Sequence, residues 1–356
     1  MVHSHARIPL WSIIAPASGL AVYLLLGKGG GPVAGLALTV ALLASVQASV
    51  HHAEVVAARV GEPFGAVILA LAVTVIEVGL IVSIMLGDKP EPTLVRDTVH
   101  AVVVLVLHGL AGVCIVVGSL KHREQEFRLT GANAYLIVLL PMTAVTLVLP
   151  NFTTSAPGPY YTNLQLAFVS LVCFALYIAF TFVQTVRHRD YFTSILPEAG
   201  GKRPGSRMAW IALGLLALAL TAVVLLAKAF SPFIQAAAEA AGAPVAIVGV
   251  AVAAIVLLPE AATAIRAALD DRLQVSINLA LGSAVACIGL TIPTVAFVSW
   301  WTGTPLTLGV TPGGAVLLAL SFMMALITYG TGRANLLSGV VHLILFATWL
   351  FLIFAP

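Results

Sequence analysis

Long apolar runs fill the chain, and short polar clusters cut them into lengths that suit a membrane crossing. The first run, about Pro9 to Leu26, follows a polar start with His3, His5 and Arg7 and ends at G-K-G-G-G. The second starts near Val33. Its helical pattern continues through His51, His52 and Glu54 to Arg59, so this helix is predicted to project beyond the apolar slab. The third reads G-E-P-F-G-A-V-I-L-A-L-A-V-T-V-I-E-V-G-L-I-V-S-I-M from Gly61 to Met85; from Pro63 onward its one ionisable group is Glu77. The fourth covers about Asp97 to Leu120, carries His100 and His108, and is followed by the basic loop K-H-R-E-Q-E-F-R at 121–128. The fifth and sixth run from about Ala132 to Leu149 and from about Leu164 to Val186, with a charge-free loop between them.

A polar stretch, 187–208, then interrupts the pattern with Arg187, Arg189, Lys202, Arg203 and Arg207. The seventh run is about Met208 to Phe230. A weakly amphipathic piece, S-P-F-I-Q-A-A-A-E-A-A-G, separates it from the eighth, about Pro244 to Leu269, which contains Glu260 after Pro259. The ninth, tenth and eleventh are about Val275 to Val298, Gly313 to Tyr329 and Asn335 to Phe354. About 20 apolar residues span a bilayer as a helix. The alternative spanning structure, a closed barrel, needs a period-two alternation that is absent here. The expectation is an all-α integral membrane protein with about eleven transmembrane helices.

Composition supports that class. Of 356 residues 60% are hydrophobic and 9% charged, and mean hydropathy is +1.08, whereas soluble domains carry about 25% charged residues. The net charge of +3 is small and its basic residues sit in loops, which argues for topology signals and against a nucleic-acid surface. The three cysteines, Cys114, Cys173 and Cys287, all lie in apolar runs, so neither a disulfide framework nor a zinc spacing is expected. No short apolar stretch with a small-residue cleavage site opens the chain, so the first segment is expected to be retained. Basic residues alternate between loops. Arg59, the 121–128 and 187–207 clusters, Arg266 with Arg272, and Arg333 fall on one side. That side is predicted to be cytoplasmic, which places the N-terminus inside and the C-terminus outside.

The chain also repeats. L-A-L-T-V-A-L-L-A at 36–44 returns as L-A-L-T-A-V-V-L-L-A at 218–227 with one inserted residue, and beyond that insertion the same offset carries Glu77 onto Glu260. The organisation read from this is an N-terminal transmembrane helix (1–30), a first five-helix repeat (31–186), a cytoplasmic polar linker (187–208) and a second five-helix repeat (209–356). Five is odd, so the second unit enters the membrane from the opposite side, the inverted-topology plan of secondary transporters. Chance similarity of Leu/Ala-rich helices is the competing explanation; the matched glutamates speak against it.

A mid-membrane carboxylate costs roughly 2.5–3.5 kcal/mol on insertion scales and normally faces a bundle interior or an aqueous cavity. Glu77 and Glu260 are therefore read as cation- and proton-binding groups, the alternative being protonated or paired structural carboxyls. Two carboxylates make a hard oxygen site, suited to calcium, sodium, magnesium or protons. Thr74, three residues before Glu77 on the same helical face, adds a hydroxyl oxygen, and Thr263 stands likewise after Glu260. Pro259 displaces the carbonyl one turn earlier. Ser276, Asn278 and Ser283 on the ninth helix and His108 on the fourth are candidates for lining the pathway, the plainer reading of His108 being a hydrogen-bonded packing group. His51, His52 and Glu54 at a helix end are a possible gate or pH sensor, the plainer reading being a solvated helix end. No nucleophile-elbow serine, phosphate loop or H-E-x-x-H motif is present, so catalysis has no support, and no cofactor is called for.

G-E-P-F-G-A-V-I-L-A-L-A-V-T-V-I-E and L-L-P-E-A-A-T-A-I-R-A-A, the latter followed by N-L-A-L-G-S-A-V-A-C-I-G-L-T-I-P, resemble the two alpha repeats of the calcium/cation antiporter superfamily, and within it the bacterial ChaA-type calcium/proton and sodium/proton antiporters. The resemblance covers nearly the whole chain. It implies that Glu77 and Glu260 bind the cation and the protons and that Gly282 and Ser283 line the second-repeat helix. The superfamily's G-N-x-x-E is altered here: Val73 and Thr74 stand for the first Gly-Asn, Val256 and Leu257 for the second, and Leu107-His108 stands where Gly-Ser is frequent. Two asparagine amides are lost as calcium ligands, which opens sodium or potassium beside calcium.

The function expected is a secondary active antiporter in a bacterial inner membrane that exports calcium, and secondarily sodium or potassium, from the cytoplasm in exchange for protons. Its partners would be those ions and the lipid bilayer. A passive cation channel and a monovalent-only antiporter are the alternatives.

Overall fold

In the computed structural model almost every apolar run is helical, and the structure describes residues 8–27, 31–61, 64–86, 91–192 and 204–355. His3, His5, Arg7, Lys28, Glu62, Pro63, Asp88, Lys89 and the 193–203 part of the linker lie outside the described residues. In chain order the helices are α1 (Leu10–Leu26), α2 (Pro32–Val60), α3 (Phe64–Met85), α4 (Leu94–Val104), α5 (Ala111–His122), α6 (Leu129–Thr143), α7 (Asn163–Phe182), α8 (Ser206–Ala240), α9 (Ala246–Leu269), α10 (Leu273–Ala286), α11 (Ile292–Thr302), α12 (Pro312–Tyr329) and α13 (Leu336–Phe354). Two short strands, β1 (Glu124–Glu126) and β2 (Arg333–Asn335), pair antiparallel. Among the described residues ten helical segments are long and apolar enough to cross a membrane, and α1 is a shorter apolar helix. The protein is an all-α integral membrane protein of the expected kind.

Local chemistry sets the helix ends. Pro32 and Pro312 open α2 and α12, where a missing N–H leaves no bond unmade. Thr162 with Gln165 and Asn335 with Ser338 form capping boxes at the starts of α7 and α13, each satisfying two amide donors of the first turn.

Among the described residues four π-helical turns interrupt the pattern: Leu105–Leu110 between α4 and α5, Ala144–Val148 after α6, Val183–Arg187 after α7, and Cys287–Thr291 between α10 and α11. The fourth expected helix is thus two α-segments around a π turn, spanning Leu94 to His122 rather than starting at Asp97. A π turn leaves the apolar composition unchanged and shifts only the facing of side chains, so the 3.6-residue pattern does not disclose it. The first and last of these turns occupy matching places in the two halves: the offset that carries Glu77 onto Glu260 also carries Leu105 onto Ile288.

Two further expectations need correction. The amphipathic piece after Phe230 is not a separate element: α8 runs unbroken for 35 residues through Pro232. Phe233 seats on Gly35 of α2, where a Cβ would overlap its ring, and this packing carries the helix past the proline. The loop 121–128 is not simply a basic topology signal either. Its central residues form β1, with Glu124, Gln125 and Glu126 opposite Asn335, Ala334 and Arg333.

The chain divides into two compact units, one of residues 1–91 with 198–245 and one of 92–197 with 246–356. In the first, α2 packs against α1, α3 and α8. In the second, α9 packs on α4, α5 and α10, and α13 lies along α5 and the π turn 105–110.

Candidate cation and proton site

Glu77 sits in the first unit, on α3, and is 1% exposed. Apart from Thr74, Glu77 and Ser83 its helix is apolar, with Ile76, Leu80, Ile81 and Ile84 all buried. Ala72 joins Ala53 and Leu216 in one core cluster, and a Cβ on Gly79 would come within 2.9 Å of Val224. Thr74 is buried one turn before Glu77; its hydroxyl donates to the Ala70 carbonyl at 2.9 Å. The Thr74 proton is therefore committed to the helix and its oxygen lone pairs face outward from that bond, the arrangement a cation ligand needs.

Glu260 belongs to the second unit and is half-buried on α9. Pro259 is accommodated inside the helix, and the Thr263 hydroxyl donates back to the Pro259 carbonyl at 3.3 Å. Thr263 is exposed. The helix is seated by close backbone contact at one end, where a Cβ on Gly249 would lie 2.8 Å from Asp97 and from the Thr98 nitrogen. It is tied to α10 by Ser276, whose hydroxyl donates to the Ala264 carbonyl at 2.6 Å.

The other candidates fall into place within single units. Asn278 donates to the Phe192 carbonyl at 2.5 Å and accepts from Gln274 at 2.8 Å; Gln274 in turn accepts the Arg128 amide at 2.6 Å. Ser276 and Asn278 therefore hold helices together, whatever else they do. Ser283 is half-buried on α10. His100 stands edge-on to Trp349, with ring centroids 5.7 Å apart, in a cavity of about 370 Å³ that Arg96 and Asp97 also line. His108 is buried on the π turn, its Nδ1 2.7 Å from the Nδ1 of His342 on α13. The sequence alone does not single out His342; its signal is a single histidine in an otherwise uncharged last helix.

The His51, His52 and Glu54 trio is not a uniformly solvated helix end. His52 is fully buried and donates from Nε2 to the Ser12 carbonyl at 3.0 Å, and His51 lies 5.5 Å from the Trp11 ring. α1 supplies both contacts, through the Ser12 carbonyl and the Trp11 ring. Glu54 is exposed.

Among the described residues no three His, Cys, Asp or Glu side chains form a preformed metal cage. A cation held by either carboxylate would need hydroxyl, carbonyl or water oxygens to complete its shell.

The sodium/calcium exchanger protein profile matches residues 31–186 and 211–355. The chain is 46% identical over 99% of its length to y4hA of Sinorhizobium fredii, provisionally described as an ionic transporter, and covers 98% of that protein. It is 34% identical over 97% of its length to the sodium-potassium/proton antiporter ChaA of Escherichia coli, covering 96% of it. The solved structure of native YfkE superposes with a TM-score of 0.76 at 20% identity, over 97% of this chain and 100% of that one, which shows a common fold. With both of its halves matched, the chain belongs to the sodium/calcium exchanger protein family.

Proposed function

We propose that the protein is a secondary active antiporter of a bacterial inner membrane, exchanging a cytoplasmic cation for protons by alternating access. The observation that carries this reading is the matched pair of in-span carboxylates. Glu77 is buried at 1% exposure on an apolar helix, and Glu260 occupies the corresponding place in the second half of the sequence. A buried carboxylate binds a proton or a cation but resists standing bare, and competition between the two at one pair of groups is the simplest physical basis for exchange. The family membership and the 34% identity to a sodium-potassium/proton antiporter support it. Glu77 and Glu260 are then the exchanging groups and Thr74 a neutral ligand, with Thr263 and Ser283 on the pathway. The N-terminus is cytoplasmic and the C-terminus outside.

Calcium, sodium and potassium are the candidate cargoes. Where Asn amides would add two neutral oxygens, this chain has Thr74 and Leu257, and fewer ligands favour a monovalent ion over calcium. Purified protein in liposomes with an entrapped pH dye tests the reading, with each cation supplied separately. Addition of the cargo outside should draw protons out of the lumen in exchange and alkalinise it. Cation flux that neither makes nor answers a pH gradient would mean a channel. A fusion of a cytoplasm-only reporter to Pro356 tests the orientation; activity there would reverse it or change the number of spans.

A further inference from the structure

The geometry points to a second proton-binding site in the second unit: His108 and His342 share one proton between their Nδ1 atoms and pass protons along a short relay ending at Thr328. The Nδ1 atoms are 2.7 Å apart, a separation that two bare lone pairs do not tolerate, so a proton lies between them. His342 Nε2 is 3.0 Å from the Thr328 hydroxyl. At the other end, His108 Nε2 is buried and has no hydrogen-bond partner, so one end of the relay is open to a proton or a water.

A neutral imidazole carries one N–H. If His108 donates through Nδ1, His342 carries its proton on Nε2 and donates it to Thr328, and His108 Nε2 presents a lone pair. A proton arriving at that lone pair makes His108 a cation. The Nδ1 proton can then shift to His342, and the Nε2 proton of His342 leaves toward Thr328. The arriving proton leaves a water O–H bond as the His108 Nε2–H bond forms, the shift breaks one N–H bond and makes another, and the Thr328 oxygen takes the leaving proton as its own hydroxyl proton passes to water. After passage both rings are neutral, with tautomers exchanged.

The fold holds the two rings together. His108 sits on the π turn, a feature frequent at functional sites. Gly112 and Gly339 allow α13 to approach: a Cβ on Gly112 would meet His342 Cβ at 3.2 Å, and one on Gly339 would meet the Val116 nitrogen at 2.9 Å. Tyr329 on α12 has its ring 6.4 Å from that of His342, and Cys114 on α5 lines one small cavity with Tyr329. The other elements packed on the π turn bring Arg96, Asp97 and His100 (α4), Lys121 and His122 (α5) and Glu260 and Arg266 (α9), and α10 brings none. His108 was a candidate for the pathway; its pairing with His342 gives it a specific task. That task in exchange rests on the antiport reading, whereas proton sharing does not.

Two measurements separate these. In protein labelled with ¹⁵N-histidine, one strongly deshielded proton should correlate with Nδ1 of two rings and vanish in both His108→Gln and His342→Gln. Two independent ring protons, or survival of the signal in either variant, would overturn the pair. In liposomes, both variants should move the pH midpoint of exchange by about one unit, because the ring that remains no longer shares a proton with a neighbour. An unchanged midpoint in both would overturn the relay. If neither variant folds, Thr328→Val keeps both rings and removes the relay's end; the shared proton should persist with a shifted resonance, and an unshifted one would overturn the connection to Thr328. Absence of exchange by the unaltered protein would sink the antiport reading alone.

Discussion

Gln125 donates from one amide nitrogen to the Ala268 carbonyl at 2.8 Å and to the Asp271 carboxylate at 2.9 Å. A side chain from a three-residue strand thereby closes the C-terminal end of α9, the helix that carries Glu260. Lys121 and His122 donate to the Leu269 carbonyl beside it, at 2.7 and 2.9 Å. These donors meet the carbonyls that every helix end leaves unpaired, and Lys121 places a positive charge where the helix dipole is negative. Gln125 is 1% exposed, so Gln125→Ala strands a buried carbonyl and should destabilise the protein by about 1–3 kcal/mol. Thermal unfolding in detergent measures it; an unchanged midpoint would show that the clamp carries no load.

Gly249 makes the second point of attachment for α9. A Cβ there would come within 2.8 Å of the Asp97 and Thr98 backbone, and backbone yields less readily than a flexible side chain. Small residues at such crossings set how near two membrane helices come. Gly249→Ala should destabilise by roughly 1–3 kcal/mol through overpacking and slow exchange by tilting Glu260. Gly214→Ala, with open space around the new methyl, is the control and should do neither. Equal behaviour of the two variants would refute the close-packing argument.

His52 offers a choice between anchoring and sensing. Its bond to the Ser12 carbonyl ties α2 to α1. On the anchoring account His52→Ala lowers stability by about 1–3 kcal/mol, the cost of an orphaned buried carbonyl, and leaves the pH midpoint of exchange where it was. A gate or pH sensor would do the reverse, moving the midpoint with little loss of stability. Measuring both quantities on the one variant decides.

The contrast between Glu77 and His342 explains what the sequence discloses. A carboxylate inside an apolar run stands out because the bilayer makes it expensive, and its return as Glu260 at the matching place marks the repeat. The runs themselves read correctly because spanning length and hydropathy are local properties. His342 depends instead on what lies opposite it, and its partner His108 is 234 residues away in the chain. The β1–β2 pair has the same character: three-residue strands that exist only because 124–126 and 333–335 meet. The continuation of α8 through 231–240 has the same character, since it depends on Phe233 seating on Gly35 of another helix. The grouping of Ser276 and Asn278 with the pathway likewise rested on their polarity, which cannot separate a ligand from a helix tie such as the Ser276–Ala264 bond.

Coupling provides the last prediction. If Glu77 and Glu260 hold either the cation or protons, then replacing one by Gln keeps its shape and removes the exchangeable charge. Glu77→Gln and Glu260→Gln should each reduce exchange to the level of empty liposomes while unfolding at a temperature close to that of the unaltered protein. Near-normal exchange in either variant would exclude the shared mechanism. The charge count goes further. Two carboxylates release two protons when they take one calcium, so calcium exchange would move no net charge and would follow the pH difference alone. One sodium or potassium against two protons would move one net charge and respond to voltage by roughly 2.3 kcal/mol per 100 mV. Clamping the liposome potential with a potassium gradient and valinomycin, at equal pH inside and out, separates the two for calcium and sodium. Calcium movement that tracks the imposed voltage would contradict the two-proton count, and sodium movement indifferent to it would leave one carboxylate outside the exchange.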